Sequence, residues 1–355
     1  MPRTWPESIG LGWEHGRVRS GIGLARDFWE RAIRPILDTH CPGMPRAAAR
    51  VGTGSDVLGL DDAMSRDHDW GLRLQVFVPR GEESAVRAVL NEYVPQQFAG
   101  LPSRFQQTGA AEAELGVDVL TVNDFATDRL GFDPRRPATP LDWLSLTGQA
   151  VLEVTAGAVF DDAGEELTAL RAALEWYPDD VWRYVVACDW RRLDQELPLM
   201  ARAADRGDEL GSRVIAARLV DIAMHLGFML SRRWPPYAKW RGTMFGRLGL
   251  PAGVGLHLDG VLREGDWRVR NEHLAGALEE LAVLQGRAGL PSASPACVPF
   301  WDRPYLHINP SLVPHITASL TDPAVASLPM GLGSIEQISD NVDLLMDARR
   351  RRDRL

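Results

Sequence analysis

Residues 67–78 read DHDWGLRLQVFV, in which Trp70, Leu72, Leu74, Val76 and Val78 alternate with Asp69, Gly71, Arg73, Gln75 and Phe77. Successive side chains on a strand point to opposite faces, so this period of two predicts a β-strand over 67–78 with one apolar face. The same period sets Asp67 and Asp69 side by side on one face at the strand's entrance. Two carboxylates that close repel each other unless a cation stands between them. His68, out of step with both, is expected to point away as a buried or hydrogen-bonded histidine.

The flanking sequence supplies a sheet for this strand. Leu24, Phe28, Ala32 and Ile36 recur at four-residue spacing, which predicts an amphipathic helix over 21–40 despite Pro35. A short strand is expected over 47–54, ending in Gly52, Thr53, Gly54 and Ser55, and a helix over 81–92 with acidic residues in its first turn. A further strand is expected over 115–122, with Asp118 on the face opposite Val117 and Val119. Beyond residue 141 the pattern turns helical, with helices expected over 181–197, 209–233 and 272–287, punctuated by Pro198, Pro235, Pro236, Pro251 and Pro291. The expected fold class is therefore α+β: residues 1–150 form a mixed β-sheet with flanking helices, and residues 151–355 form a helical C-terminal domain.

Composition narrows the partners. A net charge of −9 over 355 residues lacks the basic face that binding of a polynucleotide needs, and the arginine cluster at 349–352 reads as a solvated tail. Cys41, Cys188 and Cys297 have no metal-ligand spacing and cannot all pair, which predicts a reducing, cytoplasmic setting. No segment reads as a signal peptide or a membrane span: the most apolar stretch, 214–230, is interrupted by Arg218, Asp221 and His225. The pattern does not address oligomeric state.

The chemistry converges on a metal-held nucleotide. Two carboxylates at i and i+2, with Asp118 from a neighbouring strand, form a set suited to hard divalent cations, magnesium first among them. A two-ion site would lower the pKa of an attacking hydroxyl and neutralise a triphosphate. Gly54 lets backbone approach a phosphate and Ser55 offers a hydroxyl to it. Arg73, on the face of the two aspartates, is placed to reach the bound substrate or to pair within the core.

These residues also carry a resemblance. Gly54-Ser55, an eleven-residue gap, Asp67-His68-Asp69 and the later Val117-Asp118-Val119 resemble the signature of the DNA polymerase β-like nucleotidyltransferase superfamily. GSDVLGLDDAMSRDHDWG (54–71), YPDDVW (177–182), GDELGS (207–212), PPYAKW (235–240) and RPYLHI (303–308) look like a bacterial nucleotidyltransferase-like family filed as domain of unknown function 4037. The resemblance spans roughly residues 20 to 345 and implies a nucleotidyltransferase domain followed by a helical domain that closes over nucleotide and acceptor. His68 departs from the superfamily pattern, which places an apolar residue between the two aspartates.

The expected function is magnesium-dependent transfer of a nucleoside monophosphate from a nucleoside triphosphate, ATP being the expected donor, to a hydroxyl of a small-molecule acceptor, with release of pyrophosphate. Asp67, Asp69 and Asp118 are the expected metal and catalytic residues, and Gly54, Ser55, Arg73, Arg213 and Lys239 the expected nucleotide contacts. Arg213 sits just inside a helix start, where an anion is favoured; Lys239 is either a phosphate contact or a lysine stacked on Trp240. Arg218, Asp221 and His225 form a stripe on one helix, read as cleft-lining or as a buried network that fixes packing. Two alternatives stay open: a catalytically silent, antitoxin-like regulatory module, for which Arg218 and His225 are a cue, and an enzyme that nucleotidylates protein hydroxyls.

Overall fold

A computed structural model describes residues 20–62, 64, 70–106 and 112–355. The chain divides into two compact units: Met1–Pro137 with Ala150–Glu175, and Ala138–Gln149 with Trp176–Leu355. The fold class is α+β, as the alternation of patterns predicts.

The first unit is built on a mixed four-stranded sheet of β1 (Ala47–Arg50), β2 (Leu74–Phe77), β3 (Val117–Leu120) and β4 (Ala158–Asp162), in the order β3-β2-β1-β4. β1 lies antiparallel to β2 and β4, whereas β2 and β3 are parallel, with Gln75 opposite Asp118. The helix Glu83–Tyr93 makes the crossover that a parallel pair requires. Leu74, Val76, Val117 and Val119 pack with Leu24, Phe28, Trp29, Ile33, Val86 and Leu90 into one core.

Local chemistry explains where elements depart from the expected spans. Residues 21–40 are helical throughout, but as α-helix Gly21–Phe28, a π-helical turn Trp29–Ile33 and α-helix Arg34–His40. Pro35 has no N–H to donate into the ladder, and the wider turn just before it absorbs the defect. Of the strand expected over 67–78, residues 74–77 form the ladder. Trp70 to Arg73 precede it, with Gly71 at φ +156°, a conformation that interrupts the alternation. Residues 65–69 lie outside the described residues. β3 stops at Leu120 because the Thr121 hydroxyl caps the next helix, accepting the Asp124 N–H at 3.0 Å.

The second unit is helical. Asp179–Asp205 packs against Glu209–Leu230, and Ala252–Arg263 against Trp267–Arg287. The first helix continues through Pro198, where a stop was expected, because Met200 and Ala201 beyond it are fully buried and hold the next turn in place. The three cysteines are free, and burial pushes the thiol of Cys188 up to about 11 and that of Cys297 to about 12.

Asp180 anchors a return of the chain onto the first long helix. Burial pushes its carboxyl up, but it is outweighed by the N–H groups of Asp322 (2.6 Å) and Thr321 (2.7 Å), Arg183 (2.5 Å) and the Thr321 hydroxyl (2.9 Å), which hold the pKa at about 2. A depressed pKa stabilises the fold above the unfolded value near 3.9 and ceases to do so as pH falls toward 2. Asp180→Asn is therefore expected to cost about 2 kcal/mol at pH 7 and little at pH 2, read by urea unfolding of both proteins at each pH.

Candidate active site

The loop that leaves β1 is shaped by one side chain. Arg50, 1% exposed, pairs with Asp56 through Nε at 2.7 Å and Nη2 at 2.8 Å, and donates to the carbonyls of Val51 (2.7 Å) and Thr53 (2.8 Å). The Gly-Ser pair thus rides on a loop wrapped around a buried guanidinium. Gly54 is at φ +134°, and a Cβ there would meet Asp56 Oδ1 at 2.3 Å and Arg50 Nη2 at 2.5 Å. Gly54→Ala is expected to destabilise this unit by about 1–3 kcal/mol, measured by the urea midpoint, because neither contact can yield without breaking the ion pair. The Ser55 hydroxyl makes no hydrogen bond to protein among the described residues, while its carbonyl accepts from Leu58 (3.2 Å) and Leu60 (2.9 Å).

Beside this loop, residues of β2, β3 and the helices Glu83–Tyr93 and Val122–Leu130 line a cavity of about 730 Å³. Gln75 reaches across the sheet there. Its Oε1 accepts the Val51 N–H at 3.0 Å, which fixes the amide's orientation, so Nε2 must point to Asp118 and donates to its Oδ2 at 2.9 Å. Asp118 is exposed, and its Oδ1 has no protein partner among the described residues. Arginines from several elements line the walls. Arg87 donates to the Val119 carbonyl (2.9 Å) and Arg104 to the Asn91 carbonyl (2.8 Å) and side chain (3.3 Å), so among the described residues both guanidiniums bond to neutral oxygens. Arg129 pairs with buried Glu153 at 3.1 Å, and Arg73 donates to Thr53 Oγ1 at 3.2 Å. The lining also carries the exposed acids Glu114 and Asp128, the latter 3.5 Å from Arg129, so the pocket presents several N–H forks beside carboxylates, a set that fits a phosphate-bearing ligand accompanied by a cation.

The expected site residues separate into three groups. Asp118 and Arg73 line the cavity, and Gly54 and Ser55 follow Gly52 and Thr53, which also line it. Asp67 and Asp69 lie outside the described residues. Arg213 and Lys239 belong to the second unit. There the start of the Glu209–Leu230 helix is occupied by the chain's own carboxylates: Asp208 accepts the Gly211 N–H at 2.8 Å, and Glu209 holds Arg213 at 2.8 Å and buried Arg270 at 2.5 Å. Lys239 is exposed, 4.9 Å from the Trp240 ring centre. His225 is buried with Nδ1 2.6 Å from Asp189, which also accepts from Gln337 at 2.6 Å, a network internal to the helices. In the loop after β1, Asp61 accepts the N–H of Gly21 and Asp62 that of Met64, both at 2.9 Å.

Gln75, Arg87 and Arg104 line the cavity without belonging to any motif of the sequence. Gln75 left a trace, a polar residue on the alternating strand two places from Arg73. The two arginines carry no local signal, because they reach the cavity from separate elements. Among the described residues, no group of three or more His, Cys, Asp or Glu side chains stands together so as to hold a metal ion.

The fold and this cavity define a two-unit α+β protein with an arginine-lined polar pocket at a parallel strand pair. Residues 143–241 match the model of the family described as Domain of unknown function (DUF4037), a segment that starts after Asp118 and includes Arg213 and Lys239. No curated protein matches the chain. Among solved structures, nucleotidyltransferase-like protein from Exiguobacterium sibiricum 255-15 is 14% identical, covering 74% of this chain and 78% of that one with a TM-score of 0.35. No helix among the described residues is long and apolar enough to cross a membrane.

Proposed function

We propose that the cavity of the first unit is a nucleotidyltransferase site, which moves a nucleoside monophosphate from a nucleoside triphosphate, ATP first, to a hydroxyl of a small acceptor. The observation that carries the reading is the outward carboxylate of Asp118 in one cavity with Arg87 and Arg104, neither of which makes an ion pair among the described residues. Asp118 Oδ1 is an oxygen donor facing a pocket, a type that fits magnesium, and Asp67, Asp69 and Asp118 are the residues that would hold it. Magnesium, when bound, supplies charge neutralisation on the triphosphate and a lowered pKa for the acceptor hydroxyl.

The chain's own groups then divide the work. Arg87 and Arg104 bind phosphate oxygens, and the Arg50-wrapped loop offers backbone and the Ser55 hydroxyl to the same charge. Gln75 positions Asp118. The acceptor oxygen bonds to the α-phosphorus, the bond to pyrophosphate breaks, and Asp118 takes the hydroxyl proton. The net charge of −9 favours a small acceptor over a polynucleotide.

The test is a thermal-shift series with the four common nucleoside triphosphates, with and without magnesium, on the wild type and Arg104→Ala. Ligand at a hundred times its Kd stabilises the native state by about 2.7 kcal/mol, a readily measured shift. The expected result is a magnesium-dependent shift for one nucleotide that shrinks in the variant. Absence of any shift in the wild type would overturn the reading.

A further inference from the structure

The second unit contains a polar seam that the nucleotide chemistry does not use. Helices Ala252–Arg263 and Trp267–Arg287 approach through three glycines, each roofed by a polar side chain of the other helix. A Cβ at Gly253 would strike Glu280 at 1.8 Å, one at Gly260 would strike His273 at 2.8 Å, and one at Gly276 would strike His257 at 2.7 Å. Along each helix these positions are three or four residues apart, so they form a single row facing the partner helix. In the middle of the row the two imidazoles meet, Nδ1 to Nδ1, at 3.2 Å, with ring centres 5.5 Å apart. Next in the row, Glu280 buries one oxygen, Oε2, that has no hydrogen-bond partner. A buried carboxylate oxygen without a donor is costly and calls for a water or an ion.

We infer that His257 and His273 form a binding site for a divalent transition-metal ion of the zinc, nickel or copper class. An imidazole nitrogen binds such an ion at about 2.0–2.1 Å, and two nitrogens 3.2 Å apart then subtend an angle of about 100–105° at the metal, close to tetrahedral. Imidazole selects these ions over magnesium and calcium. No third protein ligand stands with the pair among the described residues, so water completes the shell, and a metal-bound water supplies the donor that Glu280 Oε2 lacks. The ion ties two helices at the glycine row and stabilises their pairing by mass action.

The experiment uses the tag-free, full-length chain stripped with a chelator and titrated with cobalt(II), read by visible absorption, with bound zinc measured separately by elemental analysis. One equivalent is expected, unaffected by excess magnesium and retained in Asp118→Asn, which separates this site from the nucleotide cavity. His257→Gln and His273→Gln are each expected to abolish the signal while keeping their helical circular dichroism, and Glu280→Gln to weaken it about tenfold. On the unaltered chain, zinc is expected to protect His257 and His273, but not exposed His315, from diethyl pyrocarbonate, read by mass spectrometry. Uptake equal in wild type and both histidine variants, or no protection of the pair, would overturn the assignment and leave a plain Nδ1–H to Nδ1 hydrogen bond.

Discussion

Asp118→Asn is expected to lower nucleotidyl transfer by about 10²–10⁴-fold while leaving the urea midpoint close to that of the wild type. On the proposed function this carboxylate holds a cation and accepts the acceptor's proton, and the amide does neither. The substitution is nearly isosteric at an exposed position, so little packing is lost. One contact does change. Gln75 Nε2 keeps its acceptor only if the new amide turns its oxygen toward it, which the Val51 N–H enforces by holding Gln75 from the other end. The measurement is pyrophosphate release with the nucleotide that gives the thermal shift. Loss of turnover with retained stability supports the role, whereas wild-type turnover in the variant removes Asp118 from the chemistry.

Arg50→Met is expected to destabilise the first unit by about 3–5 kcal/mol. The methionine fills most of the volume but strands the Asp56 carboxylate, which is itself nearly buried, and withdraws donors from the Val51 and Thr53 carbonyls. Removing one partner of a buried pair leaves an uncompensated charge, so the loss exceeds what the pair contributes as a whole. The double variant Arg50→Met with Asp56→Leu is then expected to recover part of the stability. Both are read by chemical denaturation followed through near-ultraviolet circular dichroism. A single-variant cost under about 1 kcal/mol would mean that the loop does not depend on the pair.

Much of this architecture is written in short-range pattern. Alternation around Leu74 and Val76, the flanking valines of Asp118 and the four-residue spacing from Leu24 onward are local signals, and each corresponds to an element of the sheet or its covering helix. The edges were less legible, since they depend on single side chains such as Thr121 or on tertiary support, as at Pro198. Asp118, Arg73, Gly54 and Ser55 could be singled out because they sit on or beside strands with readable faces. Arg87 and Arg104 could not, because their meeting at the cavity is set by the crossover helix and by a short strand pair at Arg104–Phe105. Arg50 offered no hint of its role: an arginine ending an alanine strand is unremarkable until the chain folds back to bring Asp56 against it.

Gln75 has a consequence for how the pocket answers to acidity. The group that aims Asp118 is a carboxamide, which neither gains nor loses a proton over any range in which the protein stays folded. A histidine or a second acid in its place would titrate, and the aim of Asp118 would drift with the medium. With an amide bridging Val51 and Asp118, the contact that orients this carboxylate does not depend on a proton gained or lost by Gln75. On the proposed function, a pH–rate profile then carries no contribution from titration of the residue that orients Asp118.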